Sequence, residues 1–235
     1  MIAIFKREFR SYMNNVIGYA VIALILLFAG LCIGYQNLML ASPDATYAML
    51  LLQLVLIVAI PVLTMRSQSE EKRNRIDRFL YSLPIKPSSV VLGKYLAMLA
   101  LLTLSCAAVA LYPAVLMMFG LTSVTAFYLA LVGFWLLGAA LLALCQFLSS
   151  LTDSPILALL LGFGGVLLSL LCGLLPELLS LGGVAGDVLR SLGLFARYTA
   201  LCQGVFDIGT VVFDISVVVL FLFLASFVME RKRRR

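Results

Sequence analysis

Histidine is missing from all 235 residues. Its absence removes HExxH zinc sites, histidine-assisted serine or cysteine hydrolysis and bis-histidine haem ligation. Charge is scarce too: Asp, Glu, Lys and Arg together make up 12% of the chain. There is no phosphate-binding loop. The only Gly-Lys pair is Gly93-Lys94, and Ser88 stands where such a loop needs its first glycine. The five cysteines (Cys32, Cys106, Cys145, Cys172 and Cys202) form no CxxC pair, and only Cys202 lies outside the long apolar runs. No intrachain disulfide framework is expected from them, because cysteine within an apolar span behaves as a small hydrophobe.

Apolar side chains are abundant, at 63% of the sequence. They gather into runs long enough to cross a bilayer, which takes about 20 residues per helix. Lipid supplies no hydrogen bonds, so a crossing backbone must pair within a helix or a closed barrel. The runs are much longer than the roughly 10-residue alternating segments of a barrel, so the expected fold is all-α. The first run is followed by several more and reads as a retained helix, not a cleaved signal.

The net charge of +6 comes from 17 Lys and Arg residues, of which all but Arg190 and Arg197 fall in three clusters at 6–10, 66–94 and 231–235. These clusters flank apolar runs and form no soluble domain. That pattern fits an anionic lipid surface and the positive-inside rule, and it argues against nucleic acid as a partner.

Residues 2–16 place Ile2, Phe5, Phe9, Tyr12 or Met13, and Val16 on one helical face, with Lys6, Arg7 and Arg10 on another. This predicts an N-terminal interfacial helix. Six spans follow at about 16–38, 47–65, 90–119, 125–148, 156–174 and 211–229, within a single domain covering 1–235. Pro61 and Pro113 are the expected bends. Asp153 or Ser154 can cap the fifth span, with Pro155 in its first turn. Residues 175–210 are broken by glycines and carry a helical stripe of Leu194, Phe195, Tyr198, Leu201, Cys202, Val205 and Phe206. They read as short outer helices, interfacial or re-entrant. Both termini are expected in the cytoplasm, since a five-span reading would carry the tail Arg231 to Arg235 outside.

The largest polar feature is a hairpin over 66–89. Ser67 and Glu70 fit a capping box opening a helix, and Glu71 and Arg75 stand four apart in the favourable orientation. Ile76, Phe79, Leu80 and Leu83 form one apolar stripe before Pro84. Such a helix either rests on lipid headgroups or docks in a groove of a soluble partner.

The stretches Glu70-Glu71-Lys72-Arg73-Asn74-Arg75, Leu80-Tyr81-Ser82-Leu83-Pro84-Ile85 and Val91-Leu92-Gly93-Lys94-Tyr95-Leu96-Ala97 resemble the cytoplasmic signature of ABC-2-type transporter permeases. The segment from Gln203-Gly204-Val205-Phe206-Asp207 to Glu230-Arg231-Lys232-Arg233 is similar to their gliding-motility branch. Where the family has a Gly-Thr pair in the first block, this chain has Arg75-Ile76-Asp77.

The resemblance implies a non-enzymatic permease subunit of an ATP-driven exporter in a bacterial plasma membrane. A separate ABC ATPase subunit would bind ATP and Mg, and this chain would bind no cofactor of its own. A second permease half, identical or not, would complete the pathway. Glu70, Glu71, Arg73, Arg75, Phe79 and Leu80 would couple to the ATPase, with Asp153 in the 149–155 loop as a smaller contact. Exposed ion pairs are worth only about 0–1 kcal/mol, so the apolar stripe should carry more of that docking. An alternative is a complex that passes force or signal to an extracytoplasmic auxiliary subunit. An ion-driven carrier would want several ionisable residues at mid-membrane, and the sequence offers Asp214 alone, in the headgroup region or facing a path. Gln53, Ser105, Gln146 and Ser169 would either line a path or bond helix to helix.

Overall fold

The computed structural model describes residues 2–36, 46–73, 87–117, 124–152, 154–178, 193–204 and 207–233. All regular structure in them is helical, with no strand among the described residues. The helices are α1 (Ile2–Met13), α2 (Val16–Gly34), α3 (Thr46–Leu52), α4 (Val55–Arg73) and α5 (Pro87–Val109). They continue with α6 (Tyr112–Leu116), α7 (Val124–Leu151), α8 (Pro155–Leu178), α9 (Leu194–Cys202) and α10 (Ile208–Arg233). Six stretches are long and apolar enough to cross a membrane: Val16–Gly34, Tyr47–Met65, Pro87–Ala114, Val124–Leu151, Pro155–Pro176 and Ile208–Arg231. The chain is an all-α membrane protein.

Local chemistry sets the helix ends. Asn15 has extended backbone angles and its Oδ1 accepts the Ile17 N–H at 3.5 Å, opening α2. Gly18 then lets α2 pass close to α1, because a Cβ there would collide with the Tyr12 carbonyl. Pro87 and Pro155 each occupy the first position of a helix, where a missing N–H costs nothing. The Ser154 carbonyl accepts the first helical bond of α8, from Ala158 N at 3.0 Å. Asp207 caps α10, accepting from Gly209 N at 3.0 Å, Thr210 N at 3.1 Å and the Thr210 hydroxyl at 2.8 Å. The Thr210 hydroxyl, followed by the Gly209 N–H, holds the Asp207 carboxyl below its usual pKa.

The bundle is built around α7, which packs on α3, α4, α5, α8, α9 and α10. Its centre is rich in small residues: Gly133, Gly138, Ala139, Ala140 and Ala143. Tyr198 and Leu201 lie over Gly133, and Leu102 lies over Gly138. Helix α8 carries a comparable face, with Gly162 against Pro61 and Cys145, and Gly165 against Leu144 and Leu148. Close approach of this kind is how helices gain contact energy in lipid, where association has no hydrophobic drive.

Two spans are interrupted. Between α3 and α4 the N–H groups of Leu54, Leu56 and Ile57 donate three residues back, to Leu51, Gln53 and Leu54. That removes the usual helical donors from the Leu50 and Leu52 carbonyls. The break lies at Gln53-Leu54, and Pro61, the expected bend, sits inside α4. Between α5 and α6 the break at Ala110-Leu111 precedes Pro113, as that proline predicts. There Ala114 N bonds to Leu111 O, and the Tyr128 hydroxyl donates to the bypassed Ala110 carbonyl at 3.3 Å.

Tyrosine hydroxyls make the same kind of bond elsewhere. Tyr112 donates to Leu26 O at 3.2 Å, Tyr95 to Ala139 O at 3.1 Å and Tyr198 to Met49 O at 3.1 Å. Each ties one helix to the backbone of another. Of the stripe residues, Leu194, Phe195, Tyr198, Leu201 and Cys202 are buried, so α9 inserts that face into protein, while Val205 and Phe206 lie outside the described residues. Helix α1 likewise docks on α2 and α5 with Ile4 and Tyr12 buried, while Ile2 is exposed.

Candidate functional site

The charged end of the bundle starts from α4. Its membrane-crossing part ends at Met65, yet the helix runs unbroken to Arg73. Ser67 and Glu70 therefore do not open a new helix. A turn already inside a helix has its N–H groups paired and gains nothing from a capping box. Glu70, Glu71 and Arg73 lie on the final turns of this rod, continuous with the second span. Arg75, Phe79, Leu80 and Asp153 lie outside the described residues. The 19 residues of α4 span about 28 Å at 1.5 Å each, linking the charged hairpin to the Gln53-Leu54 break.

Beside the rod, α5 and α7 hold a buried polar group. Lys94 is 1% exposed, one of the most enclosed large side chains described. Gln146 Nε2 donates to the Val91 carbonyl at 2.9 Å, and Ser150 donates to Phe147 O at 2.6 Å. Gln146 Oε1 and Ser149 Oγ have no partner among the described residues. The Tyr12 hydroxyl bonds to Leu63 O at 3.4 Å, fastening α1 to α4 near this end. Thr64 turns its hydroxyl onto Ile60 O at 3.0 Å and Pro61 O at 3.2 Å, beside the contact between Pro61 and Gly162.

Sequence reasoning missed Lys94. It lies within the predicted span 90–119, so Asp214 was never alone, and a lysine just inside a span was the available signal. A lysine so enclosed is costly, which makes Lys94 a candidate functional residue.

Asp214 is enclosed by protein. It is 4% exposed and packed in the bundle near the start of α10. The Arg197 guanidinium sits 3.9 Å from the centre of the neighbouring Phe213 ring, a cation–π contact joining α9 to α10. Of the polar span residues, Gln146 bonds helix to helix, and Ser169 Oγ accepts the Leu194 N–H at 3.3 Å. Ser105 returns its hydroxyl to Leu101 O in its own helix at 3.0 Å. Gln53 is half-buried, and its Oε1 is enclosed with no hydrogen-bond partner among the described residues.

The arrangement is a bundle of helices long enough to cross a membrane, with one helix continuing past its span at the charged end. Residues 1–180 match the family model described as ABC-2 type transporter. No curated protein matches the chain.

Proposed function

The chain belongs to the ABC-2 type transporter family, a family of membrane permease components, and from that premise we propose that it is the permease half of an ATP-driven exporter. The match across 1–180, which includes the first span, the α4 rod and the hairpin, carries this reading. An even number of crossings returns the chain to the face on which it began. Charge asymmetry supports a cytoplasmic location for both termini and all three basic clusters, and the family supports a bacterial plasma membrane. On that face a separate ABC ATPase, holding ATP and Mg, docks on the hairpin through Phe79 and Leu80. Glu70, Glu71, Arg73, Arg75 and Asp153 orient it.

Closure of two ATPase subunits pushes each hairpin. Because α4 continues the hairpin into the membrane as one rod, that push reaches the Gln53-Leu54 break without being absorbed on the way. A second permease half completes the pathway.

The test is co-purification of the tagged chain from its own membrane. An ABC ATPase co-elutes if the reading holds, and an intact, functional complex lacking one defeats it. Replacing Phe79 and Leu80 together with serine releases the ATPase while leaving membrane insertion unchanged. Survival of the complex would show that the hairpin is not the principal dock.

A further inference from the structure

An amphipathic helix at a membrane surface ordinarily rests its apolar face among acyl chains. Helix α1 turns that face to protein instead. Ile4 and Tyr12 are buried, and Phe5 and Phe9, stacked with ring centroids 5.9 Å apart, pack against the core. The Tyr12 hydroxyl bonds to Leu63 O, just before the second span ends at Met65. What α1 leaves outward is a polar stripe. Ala3, Lys6, Arg7, Arg10, Ser11 and Asn14 line an open groove of about 510 Å³.

No carboxylate is among the described residues lining this groove. Glu8 stands beside it and holds the Arg7 guanidinium at 2.6 Å. Lys6, Arg7 and Arg10 less Glu8 leave the groove positive. Guanidinium and ammonium groups this close together match the oxygens of a phosphate.

The groove also lies at the depth where the spans begin. It ends at Asn14, and the first span starts at Val16. Val16 is 79% exposed, and Tyr19, Ala23 and Leu27 follow it on the same outward face of α2. Tyr19 puts an aromatic ring at headgroup level, where such rings anchor spans. A basic groove that runs onto an apolar wall has the outline of a phospholipid. An acidic protein surface would match the charge but would leave the wall unexplained.

We infer that the groove on α1 holds the phosphate headgroup of an anionic phospholipid, whose acyl chains lie along the outward face of α2. The site needs only that α1 lie at the membrane surface, and it stands whether or not ATP drives the protein. The lipid bridges α1 and α2 across the tight turn at Gly18, and so holds α1 where Tyr12 meets α4.

The test uses the full-length chain, purified with whatever subunits accompany it in dodecyl maltoside and stripped of its own lipid. Phosphatidylglycerol and phosphatidylcholine are added back in equal amounts, and native mass spectrometry counts the lipids retained. Each basic side chain at an anionic surface is worth about fivefold in affinity, so phosphatidylglycerol should be retained at least about tenfold better. Lys6→Gln, Arg7→Gln and Arg10→Gln together should bring that preference close to parity. Arg231→Gln, Lys232→Gln and Arg233→Gln together remove as much charge at the far end of the chain and should leave it unchanged. Equal retention of the two lipids by unaltered protein, or an equal fall in both triple variants, overturns the site.

Should the first triple variant fail to assemble, Ser11→Asp adds a negative charge at an exposed position in the same groove. It should lower phosphatidylglycerol retention several-fold, and unchanged retention overturns the site. Glycerophosphoglycerol, the same headgroup without acyl chains, should not displace the lipid at millimolar concentration. Full displacement would assign the groove to a soluble phosphodiester and overturn the lipid. Loss of a co-eluting ATPase from the first triple variant, with its lipid preference intact, would give the groove to that subunit instead.

Discussion

Helices α7 and α10 are similarly apolar, and both are long enough to cross a membrane, yet they live in different surroundings. In the most apolar stretch of α7, 72% of residues are buried, against 17% in α10. Hydropathy cannot see this difference, because lipid and protein interior are equally apolar. Side-chain size can. Helix α7 alternates glycine and alanine with large residues, so α5 and α9 approach its backbone closely. Helix α10 instead presents Val212, Ile215, Val219, Leu220, Phe223 and Phe227 outward. Membership of the membrane is written in hydropathy, and position within the bundle in the placement of small residues.

The sharpest way to break this contrast is to hollow out α7. Phe134 is fully buried on that helix. Phe134→Ala should lower folding stability by about 3–5 kcal/mol, the usual cost of emptying an aromatic site. The readout is thermal unfolding in detergent, with folded monomer followed by size exclusion. No fall in unfolding temperature would mean that α7 is not the central pillar.

Filling space should cost somewhat less. A Cβ at Gly193 would lie 2.7 Å from the backbone of Gly173, so Gly193→Ala must push α9 away from α8. Overpacking of this kind costs about 1–3 kcal/mol. Gly164, with nothing within 4 Å of its would-be Cβ, is the matched control. Gly164→Ala should be neutral or stabilising by up to about 1 kcal/mol, through helix propensity alone. Equal losses at the two sites would refute close packing as the reason for these glycines.

A smaller effect is expected at Gln146. Its bond to the Val91 carbonyl joins α7 to α5, but that carbonyl also belongs to a helix. Gln146→Leu should cost about 0.6 kcal/mol, the average for hydrogen bonds between membrane helices. A loss as large as that of Phe134→Ala would make the polar group around Lys94 a principal source of stability.

These contrasts also show what the sequence could and could not disclose. Six crossings, the helix starts at Pro87 and Pro155, and the interruption before Pro113 follow from local signals. The interruption at Gln53-Leu54 does not, because the hydroxyl covering it arrives from Tyr198, 149 residues beyond the Met49 carbonyl that it meets. The stripe of α9 was legible as helical, yet its burial depends on Gly133 and Gly173 in two other helices. Ser67 and Glu70 carried a capping signal that a helix already propagating from the span made irrelevant. At the charged end, Glu70, Glu71 and Arg73 extend the α4 rod, whereas Lys94 escaped notice because it was read as part of a cytoplasmic motif. A motif reading fixes attention on neighbours in sequence, and burial is decided by neighbours in space.

The smallest expected effect lies on α10. Phe223 is 69% exposed on the outward face of that helix. In lipid this side chain meets acyl chains whether the protein is folded or not, so Phe223→Ala should change stability by no more than about 0.5 kcal/mol. Thermal unfolding in detergent at two protein concentrations is the measurement. A concentration-independent result close to unaltered protein keeps α10 as a lipid-facing wall. A large loss that grows on dilution would show instead that a second copy packs there, and the low burial of α10 would then be the signature of a face reserved for assembly.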